Sequence, residues 1–378
     1  MGQALAASAL AAIITVYAVV ILSVEDQWTV IALLAAGVVV AALASRTGFL
    51  SRAGTTFTAR RGWLESSAVV GALAVILYFH QDHFALLMIA TVMIYASVCL
   101  GLNIQLGFTG ILNFAGAAFF GVGAYTAALL TDGTGVPPVV ILFIGGAAAA
   151  VIGCLLIWPV LRTRGHYAAL VTIAFAILFK TFLEVNDTLG GPQGLIVGAF
   201  SLFGWSYNDP IPLGEAVEPS FYLPYALTAL VLLVLAFALT RRIERSWIGV
   251  NLDAVRLDET AAACFGISIA RWKITAFTIG NFVAGMAGAL YGTMIGFIAP
   301  ANFSFSDSLI FVSIVLLGGL GSAWGMILAA AIVVVLPEKL QVIQEYRFLL
   351  FSVVVILILL FRPSGLIPRR ARVYFPGR

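Results

Sequence analysis

Asn103, Gln105, Asn113, Tyr125 and Asn281 stand inside otherwise apolar stretches of this chain. Their amides and phenol can hydrogen-bond without carrying charge, so they can orient a neutral or zwitterionic ligand or tie helices together. They cannot relay protons as carboxylates do. Phe119 and Phe120, set between Asn113 and Tyr125, offer apolar wall to an aliphatic group. Reactive constellations are missing. The three cysteines, Cys99, Cys154 and Cys264, have neither disulfide nor metal-ligand spacing. His80-Gln81-Asp82-His83 has metal-capable side chains but no fourth ligand, and reads as a solvated turn. Lys180, Lys273 and Lys339 are the only lysines, and none completes a phosphate-binding loop. No nucleophile-base or paired-carboxylate pattern is visible, so the residues point away from an enzyme.

The elements that must position these groups are membrane spans. The chain of 378 residues is 62% apolar and 10% charged, a composition that needs lipid as its main solvent. Apolar segments fall at 4–22, 28–44, 64–79, 84–102, 111–130, 138–161, 167–183, 223–240, 274–298, 306–320, 323–338 and 347–361. The expected fold is therefore all-α and polytopic, with about 10–12 transmembrane helices. Residues 4–22 read as a retained span rather than a signal peptide, because no basic region precedes them. The glycines and polar residues of 103–114 predict a broken or re-entrant stretch there.

Charge tests the count. With twelve spans, all of the 20 Lys and Arg except Lys180, Lys339 and Arg347 fall in alternate loops and the tails. By the positive-inside rule both termini are cytoplasmic. The external loop 184–222 carries Glu184, Asp187, Asp209, Glu215 and Glu218 without a basic residue. Its Gly, Pro and aromatic content predicts a structured cap.

Residues 241–273 form a polar, basic, helix-prone island between two apolar segments. Ala254, Leu257, Ala261, Cys264 and Phe265 repeat at helical spacing and make an apolar face, with Asp253, Arg256 and Thr260 opposite. Gly266 is the expected stop of one helix over Asp253–Gly266. A short amphipathic cytoplasmic helix of this kind gives a soluble partner something to grip. Beyond it, Gly280, Ala284, Gly288, Gly292 and Gly296 place a small residue at every fourth position, a stripe for close helix packing. Gly145, outside that stripe, is expected to tolerate a larger side chain better.

Within the island, Thr260-Ala261-Ala262 followed by Gly266 resembles the Glu-Ala-Ala loop of bacterial ABC importer permeases, with Thr in place of Glu and Asp258 and Glu259 just before it. The stretches AVRLDETAAACFGI, ITAFTIGNFVAGMAGALYG, PANFSFS, VLLGGLGSAWG, FRPSGLIP, NIQLGFTGILNFAGAAFFGVGAYTAALL and GGPQGL resemble one family. That family is the M-type permease subunit of branched-chain (leucine/isoleucine/valine) amino-acid ABC transporters. The resemblance covers about 84–370, a permease core with the coupling loop 241–273 and the external loop 184–222. Residues 1–83 match only as hydrophobic segments, and 371–378 form a basic cytoplasmic tail.

The resemblance implies a multi-pass protein of the bacterial inner membrane, paired with an H-type permease, two cytoplasmic ATPases and a periplasmic binding protein. It implies no cofactor in this chain, since ATP and Mg would be bound by the partner subunits. It also implies alternating access, with coupling through Asp253, Arg256, Leu257, Asp258, Glu259, Thr260, Ala261, Ala262, Phe265 and Gly266. The polar spans make Asn103, Asn113, Phe119, Phe120, Tyr125 and Asn281 the candidate substrate pathway. Relatives that carry urea or short amides are an alternative within the family. A secondary carrier or channel is the alternative outside it, and the lack of intramembrane carboxylates counts against that reading.

Overall fold

The computed structural model describes residues 2–24, 28–33, 61–131, 136–162, 166–202, 205–209 and 219–339, with isolated positions elsewhere that include 365–367 and 369. Most of 28–44 and 347–361, residues 210–218 of the external loop, and the tail 371–378 lie outside the described residues. So do Arg46, Arg52, Arg60, Arg164, Arg347, Arg362, Arg370, Arg372 and Arg378.

Besides a helical run at residues 28–33, the described residues form α1 (Gly2–Ser23), α2 (Arg61–Tyr78), α3 (His83–Thr109), α4 (Gly116–Thr131), α5 (Pro138–Arg162), α6 (His166–Val185), α7 (Leu223–Arg245), α8 (Trp247–Leu257), α9 (Glu259–Cys264), α10 (Ile269–Ile295), α11 (Phe305–Gly318) and α12 (Ala323–Lys339). Six described helical segments are long and apolar enough to cross a membrane: α3, α5, α7, α10, the Tyr167–Val185 part of α6, and Pro300–Gly318, which takes in α11. Helix ends follow from local chemistry. Asp82 of the His-Gln-Asp-His turn caps α3, accepting a bond from Ala85 N. Ser304 and Asp307 form a reciprocal capping box on α11. Arg242 and Arg245 lie in the last turn of α7, where the helix dipole favours cations.

Helix α10 is the axis of the bundle, packed by α3, α4 and α5. Small residues allow that proximity. A Cβ on Gly280 would stand 2.5 Å from the Gly101 carbonyl oxygen, and one on Gly285 would stand 2.5 Å from that of Gly145. One on Gly288 would overlap the Phe120 carbonyl oxygen and lie 2.7 Å from its carbon. Gly292 is looser, 3.2 Å from the Ala124 Cβ. Two expectations need correction. Gly296 is no packing position: it ends α10 at φ 76°, and a Cβ there would meet no atom within 4 Å. Gly145 is no spectator, because a Cβ there would be 3.0 Å from that of Ala289. The seam has two sides, since α10 is gripped by α4 and α5 at once.

Short strands order the described part of the loop 184–222. Strand β1 (Leu195–Ile196) pairs antiparallel with β4 (Phe297–Ile298) just after α10, and β2 (Ser201–Leu202) forms a hairpin with β3 (Trp205–Ser206). Phe200 stacks on Tyr225 at 6.2 Å, and Tyr207 closes edge-on to Tyr225 at 5.2 Å.

Candidate functional site

The stretch 103–114 is broken as the sequence suggested, but only at its C-terminal end. Helix α3 continues to Thr109, and the irregular chain is confined to residues 110–115. Asn103 and Gln105 leave the helix uninterrupted because both point into the bundle, fully buried. Gly110 ends the helix at φ 74°, a backbone state glycine adopts without strain.

A chain break at membrane depth frees backbone groups that lipid cannot satisfy. Here the acceptors are side chains. Phe114 N donates to Thr172 Oγ1 of α6 at 3.1 Å, Ala115 N to Asn113 Oδ1 at 2.9 Å, and Ala117 N to Ser308 Oγ of α11 at 3.0 Å. Thr172 and Ser308 carried no signal in the sequence, since single hydroxyls in apolar helices are common.

Asn113 and Asn281, two of the candidate pathway residues, come together around Gln105. Asn113 Nδ2 donates to Gln105 Oε1 at 2.8 Å and to Asn281 Oδ1 at 3.2 Å. Gln105 Nε2 donates to Asn281 Oδ1 at 2.9 Å and to the Phe277 carbonyl at 3.2 Å. Asn281 Nδ2 is buried with no hydrogen-bond partner among the described residues. The result is an uncharged amide cluster joining α3, the 110–115 break and α10, with one donor to spare.

The other candidates lie apart from it. Asn103 Oδ1 accepts from Gly321 N at 2.8 Å, pinning the turn between α11 and α12. Phe119 stacks on Phe175 at 5.3 Å. Phe120 lies on the opposite side of α4, among Tyr95, Phe303 and Phe311. Tyr125 packs against Phe303 at 5.8 Å and its hydroxyl has no partner among the described residues. All six are buried, so no open route passes them in this conformation.

The island departs from the single amphipathic helix expected. Asp258, at φ −158° and ψ 108°, breaks it into α8 and α9 and caps the second piece, accepting from Thr260 N at 2.8 Å and Ala261 N at 3.0 Å. Asp258 does so because its carboxylate competes for the backbone donors a continuous helix would use. Glu259 pairs with Lys273 at 2.6 Å, fixing α9 to the start of α10.

Asp253 and Arg256 hold the island to the rest of the protein. Arg256 donates to the Gly107 carbonyl in the last turns of α3. Desolvation, then the nearby Arg369 charge, draws its pKa below the usual arginine value, while Asp253 opposes them. Asp253 takes a two-pronged bond from Arg369, at 2.6 and 2.9 Å. Arg369 also lies 4.4 Å from the Phe108 ring centre and 3.7 Å from Glu244. Leu252, Val255 and Ala262 are buried beneath the island. Leu257 and Phe265, each 86% exposed, face away from the bundle with Ala261 and Gly266. Arg369 was the residue sequence reasoning did not find: 116 positions separate it from Asp253, and only the fold joins them.

Six helices long and apolar enough to cross a membrane, packed around an uncharged polar centre, define a multi-pass membrane protein. The chain belongs to the family described as branched-chain amino acid transport system / permease component, whose match spans residues 84–361. It is 38% identical over 289 residues to the high-affinity branched-chain amino acid transport system permease protein LivM of Escherichia coli K12, covering 73% of this chain and 68% of that protein. It is 24% identical over 327 residues to a probable LivM of Methanocaldococcus jannaschii, covering 73% and 91% of the two chains. The E. coli K12 permease LivH is 26% identical over 310 residues, 78% of this chain and 96% of that one. No solved structure matches the chain.

Proposed function

We propose that this chain is the M-type permease subunit of an ATP-driven importer of branched-chain or other hydrophobic, neutral amino acids. It works by alternating access in the bacterial inner membrane, with both termini cytoplasmic. Its similarity to LivM and to LivH supports pairing with an H-type permease of related fold. Two cytoplasmic ATPases, which bind ATP and Mg, and a periplasmic binding protein complete the assembly. The names of the similar proteins favour branched-chain amino acids over urea or amides.

One observation carries the reading: Leu257 and Phe265 are exposed on an island that reaches back to the bundle through Asp253 and Arg256. A protein with no partner there gains nothing by leaving those two side chains in water. The exposed pair therefore suits insertion into an apolar groove of an ATPase, with α9 as the docked helix. Motion would pass inward along Arg256 to the last turns of α3, where Gln105 and the amide cluster lie. In the closed arrangement seen, those amides bond to one another. On opening, the same groups would face a zwitterion with no fixed counter-charge, as transport without tight trapping requires.

The test is Phe265→Asp and Ala261→Glu in the reconstituted complex. A carboxylate forced into an apolar groove is costly, while one on a solvated helix is not. Both variants should insert normally, lose ATPase on purification and lose uptake. Phe265→Leu should retain both. Normal uptake with normal ATPase binding in the charged variants would remove the docking role.

A further inference from the structure

A second feature of the same membrane face has no part in that mechanism and does not depend on it. At the island end of α7, Arg241, Arg242, Arg245 and Ser246 line an open cleft of about 450 Å³ with Ala238 and with Glu65 of α2. We propose that this cleft binds the phosphate headgroup of an anionic glycerophospholipid.

Charge is the first argument. Three guanidinium groups face one lining carboxylate. Glu65 sits 3.5 Å from Arg241 and 3.8 Å from Arg245, neither a close pair. Arg241 spends its tight contact on Glu244 at 2.7 Å, and its Nε faces Glu65 at 3.5 Å. Glu244 is itself shared with Arg369. Among the described residues Arg242 has no carboxylate partner, and Arg242 and Arg245 stand one turn apart on the exposed side of the helix. The cleft is thus short of negative charge, and a phosphate bridging those two side chains would supply it through forked, charge-assisted bonds.

Position is the second argument, and it selects a lipid over a soluble anion. Val231 and Leu235, 58% and 57% exposed, continue into exposed Ala238 and then into Arg242 and Arg245. These positions recur at intervals of three and four, so they form one stripe along α7. Its upper part lies within a span of high hydropathy and faces hydrocarbon. Acyl chains lying along that stripe would bring their own headgroup to the arginines. Ala238 belongs to both stripe and cleft, which makes the two surfaces continuous. Basic clefts between spans at the leaflet surface are suited to anionic headgroups for this reason.

The experiment uses the full-length chain with its co-purifying subunits, delipidated in mild detergent. Phosphatidylglycerol and phosphatidylethanolamine are titrated separately and counted by native mass spectrometry. The wild type is expected to bind phosphatidylglycerol at least tenfold more tightly. The Arg242→Gln/Arg245→Gln double variant should lose about 25-fold in phosphatidylglycerol affinity, roughly fivefold per arginine, with phosphatidylethanolamine unchanged. Glu65→Gln removes the competing carboxylate, keeps every arginine, and should tighten phosphatidylglycerol binding severalfold. Equal phosphatidylglycerol affinity in wild type and double variant would overturn the proposal, and so would no gain in Glu65→Gln. Displacement of the lipid by millimolar inorganic phosphate or glycerol phosphate would also overturn it, by showing a soluble-anion site.

Discussion

Replacing Gly288 with Ala adds one methyl group at the point where α10 presses against α4. That carbon would overlap the Phe120 carbonyl oxygen and lie 2.7 and 3.0 Å from the carbonyl carbon and Cα. All three obstacles are backbone, so no side chain can rotate away. Ordinary contact requires the helices to part by about 1 Å, and a gap of that size forfeits roughly a quarter to a half of each dispersion contact along the seam. The expected loss is about 1–3 kcal/mol, the usual scale of overpacking, even after the ~1 kcal/mol that Ala gains over Gly in a helix. Gly292→Ala meets only Ala124, at 3.2 Å or more, and should come out near neutral because that helix gain offsets a small adjustment. Gly62→Ala meets nothing within 4 Å and serves as the control. Gly296→Ala also meets nothing, yet should cost about 1–2 kcal/mol through its left-handed backbone, and Gly296→Asn should recover part of that. Thermal unfolding of the purified protein, followed by retention of a monodisperse peak in detergent, ranks the four sites. If Gly288→Ala melts with Gly62→Ala, the close approach of α10 and α4 does not hold the bundle together. If Gly296→Ala is the worse of the two, chain direction and not the seam limits stability.

Gln105→Leu should destabilise the protein by about 1–3 kcal/mol, because it strips the acceptor from Asn113 and a donor from Asn281 while both stay buried. Adding Asn281→Leu should cost less than the sum of the two single changes, and strict additivity in thermal unfolding would show that the amides act independently. For the Arg369–Asp253 bond, whose side chains are 12% and 22% exposed, a double-mutant cycle with Asp253→Asn and Arg369→Gln should give a coupling of about 1–3 kcal/mol. A coupling below about 0.3 kcal/mol would place that pair in the class of solvent-screened surface bridges.

The sequence by itself determined the solvent of this protein, its class and its family. Apolar runs of span length can be satisfied only as helices in lipid, so α3, α5, α7 and α10 were legible one at a time. Repeating small residues announced a close approach on α10, and the amides among apolar neighbours announced buried polar bonds. What a linear pattern could not hold was which surfaces meet. Gly145 read as more tolerant than the stripe until α5 was laid against Ala289. Gly296 matched the four-residue spacing but falls where the helix ends, and spacing carries no φ angle. The island's helical period gave no sign that Asp258 divides it in two. An amphipathic pattern says that two faces differ, while the side turned inward depends on partners far along the chain: Gly107 for Arg256 and Arg369 for Asp253. Those contacts bring together residues 149 and 116 positions apart, and only packing of the whole bundle makes them neighbours.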